Sequence, residues 1–244
     1  MMNVVAIIPA RYGSTRFPGK PLALIDGIAM IERVVRRVES AGIVNRVIVA
    51  TDDRRIKDLV LGFGGEVMMT SVERVNGTER CFEALGKLSP RPDAVINVQG
   101  DEPFVHPEQL KELVRLINLP NATIATLARP MKASDKGLGD KNRVKVVRSL
   151  DGCAMNFSRS PIPNSSGPWL QHVGLYAYTS CALEDIVQLE ATELEERESL
   201  EQLRWLEHGW SINLGLTNHK TLAVDTLEDL EKIKILLQGG ESLL

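Results

Sequence analysis

The stretch VVAIIPARYGSTRFPGKPL at positions 4–22 decides the fold, because an apolar strand leads directly into a basic loop that contains glycine. Residues 4–8 form a continuous apolar run, which is typical of a strand covered on both faces of a parallel sheet. No acidic residue occurs between Val4 and Ile25. The loop carries three cations, namely Arg11, Arg16 and Lys20. Because α/β sheets bind ligands where their strands end, we predict that these cations bind phosphate oxygens without internal neutralisation.

The spacing of this loop excludes two common nucleotide motifs. In a Walker A loop the lysine is followed by Ser or Thr, whereas Lys20 is followed by Pro21. The GxGxxG pattern of dinucleotide-binding folds is also absent, which disfavours an NAD-linked oxidoreductase. A plain solvated basic loop remains the alternative interpretation.

Strand and helix signals alternate through the first half of the chain. The predicted segments are a helix at 28–40, a strand at 46–51, a helix from Asp52 or Asp53 to Leu61, a strand at 66–69, a helix at 78–88, a strand at 94–98 and a helix at 107–117. This alternation predicts a doubly wound, mainly parallel α/β sheet of the Rossmann-like kind, with right-handed crossovers.

The pattern changes after Ile124 and becomes richer in strands. The predicted segments are a hairpin of strands 144–147 and 153–157, a loop at 164–168, a strand at 173–178, a charged helix at 193–207, a strand at 211–216 and a helix at 226–237. Thr226 and Asp229 are spaced for a capping box at the start of the last helix. We predict a single domain, residues 1–244, that carries a β-rich insertion at about 124–216.

Composition excludes several classes of protein. The chain has 244 residues, of which 25% are charged, and a net charge of −3, so no basic excess is available for binding nucleic acid. Its three cysteines are widely spaced and odd in number, which favours small apolar side chains in a reducing cytoplasm over a zinc site or disulfides. The first apolar run is too short to cross a bilayer and lacks the features of a signal peptide, so we predict no membrane insertion.

Two aspartates are candidate ligands of Mg²⁺. Asp101 follows the predicted strand at 94–98 on a glycine-containing turn, and Asp225 follows a short apolar run just before the last helix. A hard cation prefers carboxylate, water and phosphate oxygens, so two such carboxylates can share Mg²⁺ with a triphosphate. The alternative is that each aspartate is only a turn residue or a helix cap.

Four further places carry polar groups that suit a ligand, although each also has an ordinary structural explanation. Gly77 and Arg80 lie at the start of a predicted helix, where free N–H groups favour anions. Arg159 follows a strand and can grip a carboxylate with two N–H groups. His172 and Tyr176 are four residues apart in a predicted strand and therefore share a face. Glu201 and Gln202 lie in a charged helix that alone indicates only a solvated surface.

Taken together, these pieces closely resemble the 3-deoxy-manno-octulosonate cytidylyltransferases, also called CMP-Kdo synthetases. The matching strings are IIPARYGSTRFPGKPL (7–22), VATDD (49–53), NGTER (76–80), NVQGDEP (97–103), VKVV (144–147), FSRSPIP (157–163), HVGLYAY (172–178), LEQLRWLEHG (200–209) and VDTLEDL (224–230). They follow one another in order over nearly the whole chain. The first string marks nucleotidyltransferases broadly, whereas the later ones are more specific.

The resemblance implies an activity and a set of roles. The enzyme would join CTP to 3-deoxy-D-manno-octulosonate (Kdo), releasing pyrophosphate and supplying lipopolysaccharide assembly. Arg11 and Lys20 would hold the triphosphate and act in catalysis, while Asp101 and Asp225 would bind Mg²⁺. The other implied nucleotide contacts are Ala10, Gly77 and Arg80. The implied sugar-acid contacts are Gln99, Arg159, His172, Tyr176, Glu201 and Gln202. The resemblance also implies a cytoplasmic homodimer whose interface is the β-rich insertion.

The sequence departs from the family pattern in its last motif and in one loop. Ala223 and Leu227 stand where the family usually has Gly and Pro. Leucine is a good helix former, so the loss of Pro at the first helical position need not matter. The loop at 164–171 is shorter than in the family, and this difference affects the wall of the sugar pocket and therefore which octulosonate fits.

Three other functions remain as alternatives. One is a cytidylyltransferase for another acid sugar, such as 8-amino-Kdo or sialic acid. Another is a nucleotide-binding homologue without catalytic activity, although a full set of metal-binding carboxylates is unnecessary for binding alone. The third is the NAD-linked oxidoreductase already disfavoured by the loop.

Overall fold

A computed structural model describes residues 2–132, 135, 137–164, 168–220 and 222–238. The chain divides into two compact units, of which the first comprises residues 1–111 and 221–244 and the second residues 112–220. None of the helices in these described ranges combines the length and apolarity that crossing a membrane requires. All three cysteines are free.

The first unit contains four parallel strands with helices between them. Its elements are β1 (Val4–Ala10), β2 (Leu24–Ile25), β3 (Ile28–Ala29), α1 (Met30–Ser40), β4 (Arg46–Thr51), α2 (Arg54–Gly62), β5 (Glu66–Met69), α3 (Gly77–Leu85), β6 (Ala94–Asn97), the start of α4 (Pro107–Ile117) and α8 (Leu227–Gln238). The strands are arranged β6-β1-β4-β5, and every neighbouring pair is parallel. The predicted α/β class and parallel sheet are confirmed.

The apolar patterns explain these elements. All seven residues of β1 are buried, as expected for a central parallel strand. In α1 the buried residues recur at helical spacing, namely Met30, Ile31, Val34, Val35 and Val38. Ile28, which was predicted to begin this helix, instead lies in the short antiparallel pair β2–β3 and is exposed. The predicted start of the helix is therefore wrong by two residues.

The second unit is a mixed sheet with three short helices. Its elements are β7 (Ile124–Met131), β8 (Lys145–Arg148), β9 (Ala154–Ser158), β10 (Trp169–Thr179), α5 (Ser180–Ile186), α6 (Glu193–Glu198), α7 (Glu201–Glu207) and β11 (Ile212–Leu216). β10 pairs antiparallel with β7 and β8, β8 pairs antiparallel with β9, and β11 pairs parallel with β7. The predicted β8–β9 hairpin is confirmed. The sequence pattern predicts neither β7 nor α5, and part of the loop predicted at 164–168 lies outside the described residues.

The prediction of one continuous charged helix at 193–207 is wrong, because this segment forms two helices, α6 and α7. The helix is interrupted at Ser199, which adopts a left-handed backbone conformation with a φ of 51°. The carbonyls of Glu198 and Ser199 accept hydrogen bonds from the Arg159 guanidinium, at 2.7 and 3.0 Å. A continuous helix would use these carbonyls for its own hydrogen bonds. The tertiary contact with Arg159 thus replaces the helical ladder at this point.

One apolar cluster in the first unit brings three distant loops together. Phe17 comes from the loop after β1, Phe104 from the segment after β6, and Val224 from the segment before α8. The cluster also contains Ile25, Met30, Leu230 and Ile233. The amide of Val224 donates to the carbonyl of Asp101 at 2.9 Å. Because Asp225 follows Val224, this core places the two candidate metal ligands side by side.

Candidate active site

A polar cleft lies where β1 and β6 end, entirely within the first unit. The loop after β1, the segment before α3, the segment after β6 and the start of α8 form its walls. Its lining residues are Pro9, Ala10, Arg11, Ser14, Arg16, Lys20, Pro21, Arg74, Val75, Asn76, Gly77, Arg80, Gln99, Gly100, Asp101 and Asp225. The structure therefore brings together every residue predicted to contact nucleotide or metal, and one of the predicted sugar contacts, Gln99.

The basic loop is folded against its own tyrosine. The carbonyl of Tyr12 accepts hydrogen bonds from the amides of Ser14 and Gly19, both at 2.9 Å. Gly19 has a φ of +71°, a conformation that favours glycine. The Arg55 guanidinium stacks on the Tyr12 ring, with Cζ 3.3 Å from the ring centroid. Gly19 is the N-cap of the short 3₁₀ turn that presents Lys20 to the cleft.

Two of the three loop cations, Lys20 and Arg16, pair with carboxylates, so the prediction of no internal neutralisation is wrong for them. Lys20 Nζ lies 2.5 Å from Asp101 Oδ2 and 3.4 Å from Asp225 Oδ1. Arg16 Nη2 lies 3.2 Å from the same Asp225 oxygen. The acidic partners are distant from the loop in the sequence, so the charges within the loop do not reveal them. Arg16 was predicted to bind phosphate as one of the three loop cations but was given no role by the resemblance, whereas Arg74 gave no sequence signal at all.

A third carboxyl lies beneath the two aspartates. Glu102 is buried, and its Oε2 has no hydrogen-bond partner among the described residues. Burial raises the pKa of Glu102 to about 8, the neighbouring carboxylates of Asp101 and Asp225 add to the rise, and Lys20 opposes it. Glu102 was not predicted as a site residue. At pH 7 this carboxyl is therefore mainly protonated and adds little charge to the two aspartates.

Close packing explains the glycines in the cleft. A Cβ on Gly100 would lie 2.9 Å from the Pro9 carbonyl oxygen, so only glycine lets the end of β6 approach β1 this closely. Gly77 begins α3, with Asn76 as its N-cap, and a Cβ at this position would lie 3.2 Å from the side chains of Pro9 and Gln99. Glycine at these two positions therefore allows the segments that line the cleft to pack closely on each other.

Arg80 lines the cleft, but its guanidinium bonds to the protein. It donates to the hydroxyl of Thr70, to the carboxylate of Asp52 and to the carbonyls of Ser71 and Arg74. Its side chain is only 3% exposed. These acceptors occupy the guanidinium, and direct binding of nucleotide, as the resemblance implied, is not favoured for this residue.

The remaining predicted sugar contacts lie in the second unit. The rings of His172 and Tyr176 have centroids 5.4 Å apart, which confirms their predicted shared face. Burial raises the pKa of Tyr176 well above its usual value, and the charge of Glu201 adds to the rise. Gln202 is buried one position further along α7. Arg159 donates to three backbone carbonyls, which leaves two of its five N–H groups for a ligand.

His172 contacts Thr126 through Nε2, which lies 3.0 Å from Oγ1. The same hydroxyl lies 2.8 Å from the Leu175 carbonyl and 3.3 Å from the Val173 carbonyl. When the hydroxyl proton is donated to either carbonyl, Nε2 is the donor of the contact and Nδ1 can accept a hydrogen bond. Burial lowers the pKa of His172 to about 3, so the ring is neutral at pH 7.

We expect this histidine to make folding sensitive to acid. An unfolded histidine takes up a proton below about pH 6.5, whereas folded His172 does not until about pH 3, so stability falls as the pH drops through this window. Because His172 is partly exposed, solvent weakens the effect, and we expect a loss of about 2 kcal/mol between pH 6.5 and 4. Urea unfolding at several pH values measures this loss of folding stability. His172→Gln should flatten the dependence, and the exposed His208→Gln should not; equal slopes in all three proteins would contradict it.

The comparisons with known proteins agree with this geometry. Residues 5–237 match the family model described as cytidylyltransferase. The 3-deoxy-manno-octulosonate cytidylyltransferase of Parabacteroides distasonis is 47% identical, over 95% of this chain and 97% of that protein. The enzyme of the same name from Cytophaga hutchinsonii is 46% identical, over 95% and 96%.

Solved structures give the same result. A CMP:2-keto-3-deoxy-manno-octonic acid synthetase complexed with CTP superposes with a TM-score of 0.91 at 38% identity, covering 98% of this chain and 100% of that one. A 4-diphosphocytidyl-2C-methyl-D-erythritol synthase from Anaerococcus prevotii superposes with a TM-score of 0.64 at 16% identity, covering 97% and 99%, and is alike in fold. The resemblance predicted from the sequence is confirmed: the chain belongs to the 3-deoxy-manno-octulosonate cytidylyltransferase family and is a nucleotidyltransferase.

Proposed function

We propose that this enzyme transfers the cytidylyl group of CTP to Kdo. The observation that carries the proposal is the cleft in which Arg11, Arg16 and Lys20 lie opposite Asp101 and Asp225. Such a cleft binds the phosphates of a nucleotide and a cation together. The family names given above supply the base and the acceptor sugar acid, with lipopolysaccharide assembly as the use of the product.

The reaction is an in-line displacement at phosphorus. The anomeric hydroxyl oxygen of the sugar acid forms a bond to the α-phosphorus of CTP, the bond between that phosphorus and the bridging α–β oxygen breaks, and the hydroxyl proton is lost to solvent. Arg11 and Lys20 oppose the charge that builds on the departing pyrophosphate. No nucleophilic side chain is required, because position and charge govern a single displacement.

We propose Mg²⁺ as the cofactor, held by Asp101 and Asp225. Both carboxylates lie within 3.4 Å of the same Lys20 nitrogen, and the donor set is hard oxygen. Within the described residues no group of three or more acidic, histidine or cysteine side chains is arranged to hold a metal alone, so triphosphate and water would complete the coordination. When bound, such an ion lowers the pKa of the attacking hydroxyl and offsets repulsion between the sugar carboxylate and the phosphates.

We propose that the predicted sugar contacts of the second unit receive the sugar acid. Neutral His172 can accept a hydrogen bond through Nδ1, and the buried Tyr176 hydroxyl meets no partner at hydrogen-bonding geometry among the described residues. The two remaining N–H groups of Arg159 suit a carboxylate. These groups match a polyhydroxylated acid in their chemistry.

The activity is tested by pyrophosphate release. The purified protein is incubated with CTP, Mg²⁺ and one sugar acid at a time, from a panel of Kdo, 8-amino-Kdo and sialic acid. We expect release with Kdo and much slower release with the others. Release only with sialic acid or 8-amino-Kdo would replace the proposed substrate. Tight CTP binding without release from any acid would indicate a non-catalytic homologue.

We propose that the enzyme is a cytoplasmic homodimer that pairs through the β8–β9 hairpin. Leu150 at its turn is fully exposed, and Met155 on β9 and Leu216 on β11 are also largely exposed. Exposed apolar side chains are typical of an interface, and a second copy of this chain is the partner that the family implies. Free cysteines suit the reducing cytoplasm.

We expect Leu150→Glu with Met155→Glu to produce a monomer. Two charges buried in an apolar interface should raise the dimer dissociation constant by at least about a hundredfold. Sedimentation velocity at micromolar concentration measures the mass. Leu61→Glu, at an exposed leucine of α2, serves as the control and should leave the mass unchanged. A monomeric wild-type protein, or a dimeric double variant, would contradict the proposal.

A further inference from the structure

Residues 70–76, here called the 70–76 loop, form one wall of the cleft without regular secondary structure of their own. The loop connects β5 to α3 and supplies Arg74, Val75 and Asn76 to the lining. The side chains of Val72 and Val75 are largely exposed, so apolar packing does little to hold the loop. Its position must therefore come from hydrogen bonds to neighbouring side chains.

Arg80 joins both ends of this loop to the sheet. One guanidinium nitrogen, Nη1, donates to Thr70 Oγ1 at 2.5 Å and to the Ser71 carbonyl at 3.3 Å. The other, Nη2, donates to the Arg74 carbonyl at 3.2 Å and to Asp52 Oδ2 at 2.8 Å. Asp52 directly follows β4. A planar guanidinium can satisfy several acceptors in fixed directions, which a lysine cannot do.

Glu83, three residues further along α3, makes a second attachment. Its carboxylate accepts from the Ser71 amide at 3.0 Å, from Arg74 Nε at 2.8 Å and from Lys87 Nζ at 2.7 Å. Although burial opposes ionisation, these hydrogen bonds lower the pKa of Glu83 to about 2. The first turns of α3 therefore hold the loop from two sides.

The 70–76 loop and the residue that follows it contact other parts of the cleft. The carbonyl of Val75 accepts from Arg11 Nη1 at 3.4 Å. Two residues later, Gly77 packs so closely on Pro9 and Gln99 that a methyl group would meet them at 3.2 Å. A displacement of the loop is therefore expected to move the part of the cleft around Val75 and Gly77, where the resemblance implies the base and ribose.

We propose that Arg80 and Asp52 are positioning residues for the nucleoside end of the CTP site, and that they act through the 70–76 loop without touching the nucleotide. This inference rests on the proposed function. The pair links the loop to the end of β4 through side chains, beside a backbone hydrogen bond from the Thr70 amide to the Thr51 carbonyl at 2.8 Å, so removing either partner loosens the same wall.

The test compares Arg80→Lys, Asp52→Asn and the double variant by calorimetric titration with CTP and with CMP. We expect each single variant to raise the dissociation constant about tenfold, by a similar factor for both nucleotides, because the proposal places the affected wall at the base and ribose, which CTP and CMP share. The double variant should bind hardly more weakly than Arg80→Lys alone, because the contact with Asp52 is already lost in that variant. In turnover assays the KM for CTP should rise by a similar factor, while kcat changes by less than about threefold.

Arg46→Gln is the matched control, because it breaks the pair of Arg46 with Glu66 on β4 and β5, away from the loop. Binding should be unchanged in this variant. A loss that is larger for CTP than for CMP, with Asp52→Asn unaffected, would show that Arg80 contacts phosphate directly and would overturn the proposal. Unchanged binding in Asp52→Asn, or a kcat loss without a KM change, would do the same. If Arg80→Lys fails to fold, as circular dichroism would reveal, Asp52→Asn decides the question. Failure of the wild type to release pyrophosphate would count against the proposed function alone, since nucleotide binding is measured separately.

Discussion

Replacing Asp101 by asparagine is expected to lower the rate of pyrophosphate release by about 10²–10³-fold at saturating Mg²⁺ and CTP. Asparagine keeps the shape of the side chain but removes the charge that attracts a divalent cation. It also replaces the charged partner of Lys20 Nζ, now 2.5 Å away, by a neutral amide. Calorimetric titration with Mg²⁺ in the presence of CTP should show a matching loss of metal affinity.

The control for this prediction is Asp58→Asn, which changes an exposed aspartate on α2. It removes the same charge from the same unit and should keep full activity. If Asp101→Asn retained more than about a tenth of wild-type turnover, a metal-binding role for Asp101 would be untenable.

Replacing Lys20 by methionine is expected to change two measurements in opposite directions. The value of kcat/KM for CTP should fall by about 10²-fold or more, because the charge opposite the departing pyrophosphate is lost. Mg²⁺ without nucleotide should bind more tightly, because Asp101 and Asp225 are no longer neutralised by the ammonium group. Pyrophosphate release and calorimetric titration with Mg²⁺ alone measure the two effects.

The opposite signs separate this role from damage to the fold. A variant that was merely unstable would lose both activity and metal binding. Lys232→Met, which removes an exposed lysine paired with Glu228 on α8, should change neither. Weaker Mg²⁺ binding in Lys20→Met would contradict the assignment of the two aspartates as a metal site that Lys20 occupies.

The ion pairs suggest how the cleft exchanges partners. In this structure Lys20 forms ion pairs with both Asp101 and Asp225, and Arg16 forms one with Asp225. A triphosphate offers the cations new acceptors, and a divalent ion offers the carboxylates a stronger partner. Each ligand therefore releases a group that the other needs, and nucleotide and metal should bind more tightly together than separately.

Much of the first unit could be predicted from the sequence, because its signals are local. The buried run of β1 and the apolar stripe of α1 are visible in the sequence itself, and α4 has its predicted bounds. Asp53 caps α2 as predicted, and the expected capping box of Thr226 and Asp229 is present at α8. Leu227 begins α8 without proline, as expected for a good helix former.

The sequence was less informative where distant groups decide the structure. The break at Ser199 depends on Arg159, which is 40 residues away along the chain. The short pair β2–β3 has too few residues for a periodic signal. In β10 the strand extends well beyond the predicted 173–178, because pairing with β7 and β8 stabilises residues whose own pattern is weak.

By itself, the sequence determined which chemistry the chain carries. Its order of motifs places basic groups after the first strand and carboxylates after a later one, and strand ends in a parallel sheet meet at one edge. Only the tertiary structure decided which charges face each other. Lys20 is neutralised by aspartates that lie 81 and 205 residues away, and the Arg80 guanidinium donates to the 70–76 loop. Electrostatic attraction acts through space over a few ångströms, and separation along the chain does not reveal it.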